Sequence, residues 1–86
     1  MTLTSIEVSE VYEEAKKLLD EKEAVYGDAW KKTDLKTCFE QIPRKTNYLV
    51  VQFRNGRYNT HKEKFKEDIL DLINWCVFTY SKLEEK

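Results

Sequence analysis

The chain predicts an all-α fold, a small bundle of three to four helices, and three observations carry that expectation. Apolar residues recur at helical spacing in three long segments, no segment alternates apolar and polar residues long enough to make a half-buried strand, and only two glycines and one proline interrupt 86 residues. Tyr48 to Phe53 is rich in β-formers, but it continues a helical stripe rather than an alternating one.

Thr4 and Glu7 make a capping-box pattern, and Val8, Val11, Tyr12, Ala15, Leu18, Leu19, Val25 and Tyr26 then recur as one helical stripe. This predicts a first helix from about Ser5 to Tyr26. Gly27 suits the left-handed residue that closes a helix, while Asp28 and the Thr33-Asp34 pair each offer an oxygen to start another, so Asp28 to Thr33 should turn. Leu35, Cys38, Phe39 and Ile42 resume helical spacing, and Leu49, Val50 and Phe53 extend it beyond Pro43. Proline lacks the N–H that the preceding turn needs, so the middle helix should be kinked or split near Pro43. Asn55-Gly56 is a stop signal, with Arg57 to Asn59 as the loop. Thr60 and Glu63 form a second capping box, opening a last helix from about His61 to Lys82 whose stripe is Phe65, Ile69, Leu72, Ile73, Cys76, Tyr80 and Leu83.

Residues 1–86 read as a single domain with no repeat, no low-complexity run and no linker. A chain of this length has a thin core of its own, so a homo-oligomer is expected. The balance of 15 basic against 16 acidic side chains provides no overall field for nucleic acid or an anionic membrane, and no apolar run is long enough to cross a bilayer. Met1 to Ser9 has neither region of a signal peptide, and a cytoplasmic protein is expected. Cys38 and Cys76 have no metal-ligand spacing and read as buried, reduced thiols.

Chemistry concentrates on the last helix. At about 100° per residue, Glu67, Asp71, Asn74 and Phe78 share a narrow sector nearly opposite the apolar stripe, with Asp68 and Trp75 at its edge. A solvated face would not carry both Trp75 and Phe78, so this half of the helix should be packed on two sides, with Asp71 at the floor of a partly enclosed site. Asp68 and Asp71, or Glu67 and Asp71, are spaced to aim oxygens at one point, as a magnesium ion requires. Glu67 and Asp68 equally suit exposed acids in the first half of a helix. Asn74 suits either a buried structural hydrogen bond or recognition of a base or sugar edge. Tyr26, Gly27, Asp28 and Trp30 could either wall a stacked base or plug the core. Arg44 and Lys45, beside Pro43, suit phosphate. His61 has no partner acid or thiol at nucleophile spacing and is given no role.

Three runs, KEAVYGDAW at Lys22 to Trp30, IPRK at Ile42 to Lys45 and KEDILDLINW at Lys66 to Trp75, resemble the signatures of the nucleotide-modification-associated domain family, relatives of the MazG-like all-α nucleoside triphosphate pyrophosphohydrolases. The resemblance extends from about Leu18 to Phe78. It implies a bundle in which an ExxE pair faces an ExxD pair across bound magnesium, with Asp68 and Asp71 as the second pair. It further implies nucleotide or modified-nucleotide binding through Lys22, Tyr26, Asp28, Trp30, Arg44, Lys45 and Asn74. The middle helix offers only Glu40 for the first pair, so the resemblance supports nucleotide association more than hydrolase turnover. If turnover occurs, Glu67 is the candidate catalytic base.

The leading expectation is thus an oligomeric, magnesium-dependent nucleotide-binding protein with pyrophosphohydrolase activity as its extension. The alternative is a non-catalytic helical interaction module whose interface uses Trp75, Phe78, Tyr26 and Trp30. A nucleic-acid surface built from Lys31, Lys32, Lys36, Arg44, Lys45, Arg54 and Arg57 is the third reading.

Overall fold

A computed structural model describes residues 5–27 and 32–84, the Tyr26 side chain excepted. Four helices account for nearly all of them: α1, Ser5–Tyr26; α2, Leu35–Arg54; α3, Arg57–Thr60; and α4, Lys62–Glu84. No strand occurs among the described residues. The all-α expectation therefore holds, and no helix of the described chain is long and apolar enough to cross a membrane.

The helix ends follow from local chemistry. Gly27 closes α1 at φ +71°, its N–H donating to the Glu23 carbonyl at 2.8 Å. Asp34 caps α2 by accepting the Thr37 N–H at 2.8 Å, and those hydrogen bonds with Thr37 hold its carboxyl below the usual aspartate range. At the far end of α2, the Asn55 N–H bonds Val51 and the Gly56 N–H bonds Phe53, with Gly56 at φ +74°. Thr4, Asp28, Trp30 and Lys31 lie outside the described residues, as does most of the turn expected from Asp28 to Thr33.

Three expectations are corrected here. Helix α2 is not split: it runs continuously through Pro43. Pro43 and Phe39 are both exposed, so the Phe39 carbonyl that loses its i+4 donor can turn to water. The loop expected at Arg57 to Asn59 is a single helical turn, α3, in which Tyr58 stacks on Phe53 with ring centroids 4.8 Å apart. The Thr60 hydroxyl bonds the His61 ring at 2.8 Å. Thr60 ends α3 instead of capping α4, and the α4 helix begins at Lys62.

Helix α4 is the centre of the bundle, and α1 and α2 both run antiparallel to it. Ala15 meets Asn74 and Lys22 meets Asp71 along α1, while Lys45 meets Asp71 and Tyr48 lies beside Lys64 and Asp68 along α2. The fully enclosed apolar set is small: Ala15, Cys38 and Phe78, with Asn74 and Thr79 buried beside them. Trp75 packs edge-on against Phe78, their centroids 5.4 Å apart. Cys38 is a buried thiol as expected, but Cys76 is exposed.

The exposure of Cys76 reflects a larger reversal. The stripe expected to be the core face of α4 is only partly covered: Ile69, Cys76, Tyr80 and Leu83 are exposed, Tyr80 by 67%, while Phe65, Leu72 and Ile73 are half-buried. The sector holding Asp71, Asn74 and Phe78 is the one packed inward. The sequence pattern reports burial along this stripe, yet no segment of the described chain covers its exposed residues.

Candidate functional site

Asp71 is where the three long helices meet. Its carboxylate is 14% exposed; Oδ1 accepts from the Lys22 ammonium of α1 at 2.7 Å, and Oδ2 accepts from the Lys45 ammonium of α2 at 2.7 Å. Burial by itself raises the Asp71 pKa, but the two lysine hydrogen bonds and their charges outweigh it, so the carboxyl sits below the usual aspartate value. A partly buried acid that is ionised and doubly paired satisfies the condition on which a charge can be enclosed.

One turn towards the start of α4, Asp68 accepts from Lys64 at 3.0 Å. This bond raises the Lys64 pKa above its ordinary value, keeping the ammonium charged at all physiological pH values. Together these residues floor a cleft of about 310 Å³ between α2 and α4. Gln41, Arg44, Lys45 and Tyr48 line it from α2, and Lys64, Asp68 and Asp71 from α4. Three cationic side chains oppose two carboxylates, which leaves the cleft with an excess of positive charge. Arg44 makes no ion pair with a described residue.

The expected site residues divide into four groups. Arg44, Lys45, Asp68 and Asp71 come together in the α2–α4 cleft. Lys22 reaches Asp71 from α1 and orients it without lining the cleft. Asn74 is 6% exposed, and its Nδ2 donates to the Ala15 carbonyl at 2.9 Å, which is the structural one of its two expected roles. Glu67 does not line the cleft but lies on the α1 side of α4, where it lines a groove of about 510 Å³ with Glu14, Lys17 and Glu21 of α1. The Tyr26 side chain, Asp28 and Trp30 lie outside the described residues.

Magnesium does not fit this donor set as it stands. Both Asp71 oxygens accept from ammonium groups, and Asp68 accepts from a third, so an ion bound between these acids would have to displace lysines held at 2.7 to 3.0 Å. No group of three or more His, Cys, Asp or Glu side chains suited to a metal occurs among the described residues. The acids act instead as anchors for the lysines. An ammonium has three N–H donors, so Lys45 and Lys64 can each keep a carboxylate and still donate to a ligand.

Gln41, Tyr48 and Lys64 are lining residues that the sequence reading did not single out. Their signal was present as spacing: Gln41 and Tyr48 fall one turn either side of Arg44 and Lys45, and Lys64 precedes Asp68 by four. Comparisons of the chain with protein-family models, with curated proteins and with solved structures found no match.

Proposed function

We propose that the α2–α4 cleft binds the phosphate end of a nucleotide, and that it does so without a metal ion and without hydrolysing the ligand. The observation that carries this reading is the clustering of Arg44, Lys45 and Lys64 around a concave cleft whose two acids are already engaged by lysines. Arg44 supplies a planar fork for two phosphate oxygens, and the lysines supply point charges whose positions their carboxylates fix. Tyr48, half-exposed at the rim, offers a face on which a base can stack, and Gln41 offers both an amide donor and a carbonyl acceptor.

The volume of about 310 Å³ lies at the small end of ligand sites, which suits the phosphates and part of a nucleoside. Binding without turnover is supported by the placement of Glu67. The acid expected to activate water lies in the α1–α4 groove, away from the cationic cleft.

Calorimetric titration with a panel of nucleoside mono-, di- and triphosphates, with magnesium and with excess EDTA, tests the proposal. Affinity should survive EDTA and fall by about tenfold to a hundredfold in Arg44→Ala, the range for loss of a charge-assisted contact. Binding that requires magnesium and ignores Arg44→Ala would overturn it.

A further inference from the structure

We infer that the outward stripe of α4 is the interface of a two-fold dimer, in which α4 packs antiparallel against α4 of a second copy. The starting point is the reversal of this helix. Phe65, Ile69, Ile73, Cys76, Tyr80 and Leu83 share one face; Phe65, beside Tyr48 and Gln52 of α2, and Ile73 are half-buried, while Ile69, Cys76, Tyr80 and Leu83 are exposed, the last two by 67% and 57%. The stripe spans about 27 Å of helix at a rise of 1.5 Å per residue. A soluble chain does not keep an apolar strip of this length in water. Among the described residues Ala15, Cys38 and Phe78 are the buried apolar ones, a core thin enough to call for a covering surface on this stripe.

A second copy meets that demand because the stripe is complementary to itself. A two-fold axis crossing α4 between Ile73 and Cys76 relates positions whose numbers add to about 149. It sets Phe65 against the partner's Leu83 and Ile69 against the partner's Tyr80 towards the two ends of the seam, with Ile73 against the smaller Cys76 at its centre. In an antiparallel pair such an axis also brings each flank of the stripe against the same flank of the other helix. On one flank that places Lys66 opposite the partner's Glu84, an ion pair formed twice. Among the described residues, Lys66 forms an ion pair only with Glu63, at 3.9 Å, and both its side chain and that of Glu84 are exposed. A parallel pairing would lose this match. A specific interface buries about 1,000 Å² or more in total, which the exposed Ile69, Cys76, Tyr80 and Leu83 of two copies, with their flanks, would have to supply.

The inference is tested on the full chain by sedimentation equilibrium and by zero-length carbodiimide cross-linking of a mixture of isotopically light and heavy protein. The expected result is a dimer with a Lys66–Glu84 link joining a light to a heavy peptide, and slow alkylation of Cys76 that quickens on dilution. Because a variant that breaks the stripe could unfold the chain, charge reversal provides the discriminating variants. Lys66→Glu alone and Glu84→Lys alone should each weaken the dimer by about threefold to tenfold. Combining the two should restore it. A monomer at high protein concentration, or a dimer whose cross-links fall on α1 or α2 and which ignores the reversals, would overturn the inference.

Discussion

Replacing Asp71 with Asn removes the charge that joins α1, α2 and α4 while keeping the size and shape of the side chain. In the native protein each carboxylate oxygen accepts a 2.7 Å bond from a lysine, one from Lys22 and one from Lys45. A hydrogen bond to a charged group contributes about 1.5–3 kcal/mol when enclosed. The two ammonium groups are 41% and 34% exposed, which screens the pair and puts the combined loss near 2 kcal/mol. For a domain of this size that corresponds to a fall in Tm of about 8–16 °C. Thermal and urea unfolding followed by circular dichroism, at matched protein concentration, measures it.

The pH dependence gives the check. Because the native pKa of Asp71 is depressed, its contribution is full above the unfolded value, near 4, and disappears as pH falls through the native value. Wild type and Asp71→Asn should therefore differ at pH 7 and converge in acid, once the pH has fallen through the depressed native value and the side chain is protonated. Equal stability at pH 7, or a difference that acid leaves unchanged, would refute the role of Asp71 as a doubly paired anchor.

Three further substitutions probe individual elements. Asn74→Ala removes the hydrogen bond to the Ala15 carbonyl at the α1–α4 contact and should cost about 0.5–1.5 kcal/mol in urea unfolding, with no change in nucleotide affinity beyond that due to stability. Pro43→Ala restores an N–H donor to the Phe39 carbonyl in mid-helix and should raise stability by about 1–3 kcal/mol, seen as a higher Tm. Gly56→Ala meets no neighbouring atom, so its cost is the left-handed backbone alone, about 1 kcal/mol by the same measurement.

Much of the fold was legible because it is local. Gly27 and Gly56 close their helices at positive φ, Asp34 caps α2, and α1 runs from Ser5 to Tyr26 as its stripe requires. The errors have specific physical sources. Pro43 reads as a break because sequence gives no sign that Phe39 and Pro43 both lie on an exposed side of α2, where water can satisfy the Phe39 carbonyl. Thr60 and Glu63 have the spacing of a capping box, but the Thr60 hydroxyl turns to His61 and ends α3.

The α4 helix is the most instructive case. Periodicity separates its two faces correctly, and it places Asp71 in an enclosed site, but periodicity cannot say which face meets the rest of the same chain. Pairing decides that: Asp71 finds Lys22 and Lys45, and Asn74 finds Ala15, partners 26 to 59 residues away in sequence. The same distance effect hid the cleft. Acids at magnesium spacing were visible on α4, but the lysines that engage them come partly from other helices. With those ammonium groups in place, the proposed function of the site is to hold an anion rather than a cation.

That change of sign can be read most directly by ¹H–¹⁵N correlation spectra recorded during titration with a nucleoside monophosphate in EDTA, then repeated with magnesium. The amides around Arg44, Lys45, Tyr48 and Lys64 should shift in EDTA and move to the same end point when magnesium is present. Shifts that need magnesium, or that gather around Glu14, Glu21 and Glu67 in the α1–α4 groove, would contradict a metal-independent phosphate site between α2 and α4.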